Sequence, residues 1–226
     1  MAATDRLRTA ASTRCRQIQG EILKWASSNL RDFPWRHERT PYRVMVAEFL
    51  LKRTTSTAAA RVYDNFLGKY PTISDLAKAD VSSLERLLKA IGYHRLRAKA
   101  LKETATDIVG NCGGEVPNDL DRLMCIPHIG HYTAGAVLSL GYGIPAPMVD
   151  SNVERILKRL FRDTLPEKAV SKALLAVARE LVPKEGHDVF NLALIDLGAQ
   201  VCTYRIPYCS RCPINCSCDT GIEATA

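Results

Sequence analysis

The sequence has no apolar run near the ~18–20 residues that cross a bilayer, which argues against a membrane-spanning chain. Its first residues, MAATDRLRTAASTRCR, lack the apolar centre of a secretory signal. No stretch alternates apolar and polar residues with the two-residue period of a half-buried strand. There is no internal repeat and no low-complexity segment. With 46% hydrophobic and 24% charged residues, the 226-residue composition excludes a disordered or collagen-like chain. A chain of this length buries roughly 70% of its unfolded surface and needs no disulfides to hold a core. Acids are outnumbered: 24 Asp and Glu against 31 Lys and Arg leave a net charge of +7, which favours a polyanionic partner.

What is present is helical periodicity. Leu84, Leu87, Leu88 and Ile91 recur at i, i+3, i+4 and i+7, as do Val153, Ile156, Leu157 and Leu160. Val170, Leu174, Val177 and Leu181 form a third stripe. The pattern predicts an all-α protein of about ten helices, near 13–29, 42–53, 55–68, 73–78, 82–90, 95–110, 119–125, 131–141, 151–161 and 167–181, with another near 187–199. Ser82 with Glu85, and Ser151 with Glu154, have the spacing of capping boxes at helix starts.

Eight cysteines are unevenly spread. Cys15, Cys112 and Cys125 are isolated, whereas Cys202, Cys209, Cys212, Cys216 and Cys218 crowd into one short C-terminal stretch. Without an export signal, clustered cysteines read as metal ligands rather than disulfides. Cys202-x6-Cys209-x2-Cys212-x5-Cys218 offers four soft thiolates in a compact loop, suited to zinc or to an iron–sulfur cluster. Cys216 is a fifth, spare thiol.

Two further regions carry chemistry. Leu123–Val137, LMCIPHIGHYTAGAV, reads as a short helix, a tight turn through Pro127 and Gly130, and a new helix. Backbone amides at such a turn cradle a phosphate without reading sequence. Asp150 follows Tyr132 by eighteen residues and stands at a helix start, where the dipole favours a carboxylate. On its own it reads as a plain helix cap before it reads as a catalytic carboxylate. Glu48 lies between Ala47 and Phe49 on a largely apolar helix, a costly place unless it faces a polar cleft. Lys52, one turn later, shares its face. Arg95, Arg97, Lys99 and Lys102 make a basic stripe that suits phosphate or plain solvent.

These cysteine spacings, the hairpin and the segment Pro34-Trp-Arg36…Pro41-Tyr-Arg-Val-Met-Val-Ala-Glu-Phe-Leu-Leu-Lys-Arg-Thr-Thr55 together resemble the helix-hairpin-helix DNA glycosylases of the endonuclease III and adenine glycosylase kind. The resemblance covers about residues 30–220. It implies two lobes with a DNA groove between them: a six-helix barrel carrying the hairpin over 35–144, and a discontinuous cluster lobe of 1–34 and 145–226. It implies a [4Fe-4S] cluster on Cys202, Cys209, Cys212 and Cys218. Asp150 becomes the catalytic carboxylate, and Glu48 the group that meets the departing base. Tyr132 stands where the bifunctional members carry a lysine that attacks the sugar, which implies a monofunctional enzyme. Lys52, Arg53, Tyr93, His128, Gly130 and His131 become DNA contacts, Tyr93 as the wedge that stacks into the opened duplex. The hairpin turn usually reads Pro-Gly-Val-Gly, so His128 replaces a glycine and is strained if that position needs a positive φ.

Adenine glycosylases carry two glutamines where Lys52 and Arg53 stand. The basic pair is most like the thymine/uracil·guanine mismatch glycosylases. The resemblance therefore implies a cytoplasmic, nucleoid-associated monomer acting on mismatched double-stranded DNA, with no membrane partner. An adenine glycosylase is the alternative, although those enzymes usually append a second domain that does not follow Cys218 here. A non-catalytic iron–sulfur DNA-binding protein is the alternative of another class.

Overall fold

A computed structural model describes residues 2–165 and 171–225. No strand occurs among the described residues. The α-helices among them run α1 Ala2–Asn29, α2 Pro41–Leu51, α3 Ser56–Lys69, α4 Ile73–Lys78, α5 Val81–Leu88, α6 His94–Asn111, α7 Leu120–Cys125, α8 His131–Ala136, α9 Ser151–Leu160, α10 Ser171–Leu181, α11 His187–Gln200 and α12 Asp219–Thr225. None of the helices searched is long and apolar enough to cross a membrane. The chain divides into two compact units, one of Met1–Arg31 with Pro145–Ala226, the other of Asp32–Ile144.

The continuous unit is built around α2. Thr40 Oγ1 accepts the Arg43 N–H at 3.3 Å, and Pro41 takes the first helical position, where its missing N–H costs nothing. All of Val44–Leu50 is buried, so α2 is surrounded rather than amphipathic. Helices α3, α6 and α8 pack against it. Trp35 seals one end, stacked on Phe33 at 4.8 Å and edge-on to Tyr63 at 5.8 Å. Beyond α8 the chain continues as a π turn, Val137–Gly141, where the helix predicted over 131–141 widens. A Cβ on Gly141 would meet Pro41 Cα at 2.8 Å, so glycine permits this close approach to α2.

Two cap assignments are corrected. Helix α5 starts at Val81, and its cap is Asp80, whose Oδ2 accepts the Ser83 N–H at 2.9 Å and the Ser82 hydroxyl at 2.6 Å. Ser151 is likewise the first residue of α9, and Asp150 is its cap. In both places a carboxylate just upstream is the stronger acceptor for helix amides. Among the described residues a capping box forms instead at Thr72 and Asp75.

The discontinuous unit buries the α1 stripe Ile18, Ile22 and Ala26 with Val153, Ile156, Leu157 and Leu160 of α9 and Phe190, Leu194 and Leu197 of α11. Leu174 and Leu181 of the third predicted stripe join them, while Val170 lies outside the described residues. A Cβ on Gly198 would lie 2.6 Å from Asn152 Cβ, so glycine lets α11 and α9 touch backbone to side chain. At the end of α1, Arg31 grips the fully buried Asp196, its N–H and its Nε each donating at 2.8 Å.

Candidate functional site

The end of α2 and the start of α6 place two unusual turns side by side. Lys52 leaves α2 with φ −57° and ψ 120°, and Arg53 then takes φ 55°. Gly92 has φ 69°, and Tyr93, which precedes α6, has φ 50°. Left-handed backbone at two non-glycine residues costs of order 1 kcal/mol each and needs support. Arg97 supplies it. The residue is 5% exposed, and its guanidinium donates to the carbonyls of Phe49, of Leu50 at 3.1 Å and of Lys52 at 2.8 Å. Longer contacts reach Ile91 at 3.5 Å and Gly92 at 3.4 Å. Helix ends leave carbonyls unpaired; one buried cation satisfies these and ties both turns together. Burial lowers its pKa, yet a guanidinium remains charged. Arg97 is therefore not part of a phosphate-facing stripe, and neither is Lys102, whose Nζ donates to the carbonyls of Ala77 and, at 2.9 Å, Ala79. Arg95 and Lys99 do stay exposed.

The hairpin runs from α7 through Ile126–Gly130 into α8. His128 has φ 67°, the left-handed conformation that its replacement of a glycine made costly. Three contacts hold the turn. The His128 imidazole donates from Nε2 to Glu103 Oε2 at 2.6 Å, and its carbonyl accepts from Lys52 Nζ at 3.0 Å. The buried Thr104 hydroxyl donates to the Pro127 carbonyl at 2.8 Å. The His128 hydrogen bond, helped by Lys99, holds the Glu103 carboxyl below the usual carboxylate range. Gly130 opens α8 without a side-chain cap, and His131 follows it, exposed.

Lys52, Arg53, Tyr93 and His128 line one cavity of about 430 Å³ with Leu96 and Glu103. The Arg53 guanidinium lies 5.3 Å above the Tyr93 ring, and Lys52 Nζ lies 4.0 Å from the Phe49 ring. Lys52 is exposed as a residue, but crowding of its ammonium by protein lowers its pKa; Glu48 opposes that shift and Arg97 adds to it. Glu48 itself is buried in α2 at 7% exposure and lies outside the cavity lining. Tyr132 is half-buried on α8 and also lies outside that lining. Sequence reasoning missed Leu96 and Glu103. Leu96 had a signal: an apolar residue between Arg95 and Arg97, off the buried stripe and 69% exposed.

In the discontinuous unit, Asp150 Oδ1 accepts the N–H groups of Asn152 at 2.9 Å and Val153 at 2.8 Å, and Oδ2 accepts Asn152 Nδ2 at 2.9 Å. The segment leading to it is pinned by the buried Asn191, whose Nδ2 donates to the Ala146 carbonyl at 2.9 Å and whose Oδ1 accepts the Met148 N–H at 3.3 Å. Asn191 was not foreseen; a polar residue inside the apolar run of α11 was its only mark.

The same unit gathers Cys202, Cys209, Cys212 and Cys218 around one small cavity, and Cys216 is exposed outside that lining. Burial, reinforced by the neighbouring thiols, pushes Cys212 up to about 11, and burial also raises Cys218. Arg159 Nη1 donates to Cys202 Sγ at 3.3 Å and to the Thr203 carbonyl at 2.8 Å. Among the described residues no three His, Cys, Asp or Glu side chains are grouped to hold a metal ion.

Residues 46–181 match the family model described as HhH-GPD superfamily base excision DNA repair protein. A thymine/uracil-DNA glycosylase of Methanothermobacter thermautotrophicus is 37% identical over 198 residues, covering 87% of this chain and 90% of that protein. A solved thermostable thymine-DNA glycosylase superposes with a TM-score of 0.88 at 35% identity, covering 95% of this chain and 99% of its own. Endonuclease III trapped in a covalent intermediate with DNA superposes with a TM-score of 0.80 at 26% identity, covering 95% and 99%.

Proposed function

The chain belongs to the HhH-GPD superfamily of base excision DNA repair proteins, and from that membership we propose that it is a DNA glycosylase hydrolysing the N-glycosidic bond of thymine or uracil mispaired with guanine. The observation that carries the reading is the cavity that unites Lys52, Arg53, Tyr93 and the hairpin residue His128. Relatives of this breadth of similarity that act on thymine or uracil support the choice of base. The substrate is mismatched double-stranded DNA, taken by a monomer in the cytoplasm.

Chemistry on a base in a duplex requires the nucleotide to be flipped out. Tyr93, 53% exposed on its strained turn, enters the gap and stacks, worth ~1–3 kcal/mol. Lys52 donates to the O6 and N7 acceptors of the orphaned guanine, and Arg53 holds Tyr93 from behind. The turn at His128 and Gly130, with His131, receives a backbone phosphate. Asp150 stabilises the positive charge that grows on the sugar and activates the attacking water. An ionised carboxylate has about four acceptor directions. Three are spent on α9 and Asn152, which fixes the group without reorganisation and leaves one for the reaction. The pyrimidine departs as an anion spread over its carbonyls, so no strong acid is required, and Glu48 bonds the base edge. Tyr132 forms no imine, so the product is an abasic site in an intact strand.

The four thiols fit a [4Fe-4S] cluster. A four-iron cluster takes one thiolate at each of four corners, as a cavity ringed by thiols allows. Four thiolates gather negative charge, and the Arg159 guanidinium beside Cys202 offsets it. When bound, the cluster would act as a structural staple; Cys202, Cys209, Cys212 and Cys218 would hold it, and Cys216 would not.

Single-turnover excision on T·G, U·G, A·G and A·8-oxoguanine duplexes, with Asp150→Asn beside wild type, tests the function. Asparagine caps a helix as well as aspartate, so the fold and DNA binding persist. Losing the charge lowers excision by at least about 10²–10³-fold. Activity on adenine alone would instead assign the adenine glycosylase reading, in which the buried Glu48 protonates the leaving purine.

A further inference from the structure

Glu103 is out of place on a surface that meets polyanionic DNA. It is the only acid among the described residues lining the cavity of Lys52, Arg53 and Tyr93. Its fixed partners do not exhaust it. His128 takes one direction on Oε2 at 2.6 Å, while Lys99 Nζ stands 3.7 Å from Oε1, beyond a good hydrogen bond. The side chain is 43% exposed and offers about four acceptor directions. The cavity thus presents three things together: cationic donors at Lys52 and Arg53, apolar faces at Tyr93 and Leu96, and one carboxylate with spare acceptors.

The complement to that set is a flat ring with acceptors on one edge and N–H donors on another. Guanine has it: O6 and N7 accept, and N1–H with the 2-amino group donates. Adenine presents a lone pair at N1 and lacks the 2-amino group, so the same carboxylate repels it. Specificity built this way rewards one base and penalises the other. The donation from His128 keeps Glu103 ionised, the form that only accepts.

We propose that Glu103 is a specificity-determining residue that accepts hydrogen bonds from N1–H and the 2-amino group of the orphaned guanine. The inference rests on the glycosylase reading above and deepens it. Thymine excision is measured in single turnover opposite guanine and opposite hypoxanthine, which lacks only the 2-amino group. Both purines form the same two-bond wobble with thymine, so the cost of flipping is shared. The wild-type enzyme loses about tenfold opposite hypoxanthine, the scale of one hydrogen bond to a charged group. Glu103→Ala loses about a hundredfold opposite guanine, where both hydrogen bonds go, and about tenfold opposite hypoxanthine, where only the N1–H bond goes, so both fall to one level and the preference disappears. Glu103→Gln keeps the shape and a neutral acceptor, and retains a reduced preference. Equal losses on both duplexes in both variants would make Glu103 a mere brace for the hairpin and overturn the inference. A wild-type enzyme that excises thymine yet treats both partners alike also overturns it and leaves the function standing. No excision from any duplex would overturn both.

Discussion

Replacing Arg97 with methionine removes the cation that closes α2 while keeping the bulk of its stem. The guanidinium makes three close bonds, to the carbonyls of Phe49, Leu50 and Lys52. A net hydrogen bond to a charged group contributes ~1.5–3 kcal/mol, so three amount to roughly 5–9 kcal/mol. Two corrections reduce this. Lys52 is exposed, so water replaces part of what its carbonyl loses. The variant also no longer buries a charge, which itself costs several kcal/mol. About 3–4 kcal/mol of destabilisation remains. At ~2–4 °C per kcal/mol for a protein of this size, the melting midpoint falls by about 6–16 °C. Differential scanning calorimetry reads it, with Arg97→Lys as a companion that recovers part of the loss, because an ammonium reaches fewer carbonyls at once. A fall of less than about 2 °C in Arg97→Met would refute the reasoning and reduce Arg97 to a surface charge.

Tyr132→Lys places an amine where Tyr132 stands and is expected to trap as a covalent DNA adduct with borohydride; an untrapped variant would remove Tyr132 from the sugar. Cys212→Ser is expected to lose the visible absorbance of the iron–sulfur cluster and the thermal stability that goes with it, while Cys216→Ser keeps both. A colourless wild-type protein carrying one zinc would overturn the cofactor.

The helical stripes were legible because burial writes itself into spacing. Leu84 with Leu88, and Ile156 with Leu157, sit where the 3.6-residue period puts them. Caps were less legible, since Ser82 and Ser151 satisfy a spacing rule that Asp80 and Asp150 win by charge. The basic residues of α6 were the least legible. Arg95 and Arg97 look alike in a sequence, yet one reaches solvent and the other turns inward, because whether a long stem is buried depends on which carbonyls lie unpaired nearby. The strain at His128 could be anticipated from the glycine it replaces. Its partner Glu103 could not, because the pairing joins the middle of α6 to the hairpin turn across 25 residues. Tyr93 and Lys52 were singled out as separate contacts; their sharing of one cavity follows from the clamp at Arg97, which no local pattern announces.

The two halves of the discontinuous unit have a consequence in time. Arg31 meets Asp196 across 165 residues of chain. At ~5–20 residues per second, a ribosome takes about 8–33 s to cover that distance. For most of this interval Ile18, Ile22 and Ala26 have emerged without the α9 and α11 faces that later cover them. Residues 32–144, whose contacts are internal to one continuous stretch, have no such wait. The nascent chain therefore carries a bare apolar helix ahead of a unit that is able to close first, and it is exposed to aggregation at that helix rather than in the middle of the chain. The thiol cavity forms later still, because Cys202, Cys209, Cys212 and Cys218 all follow α11.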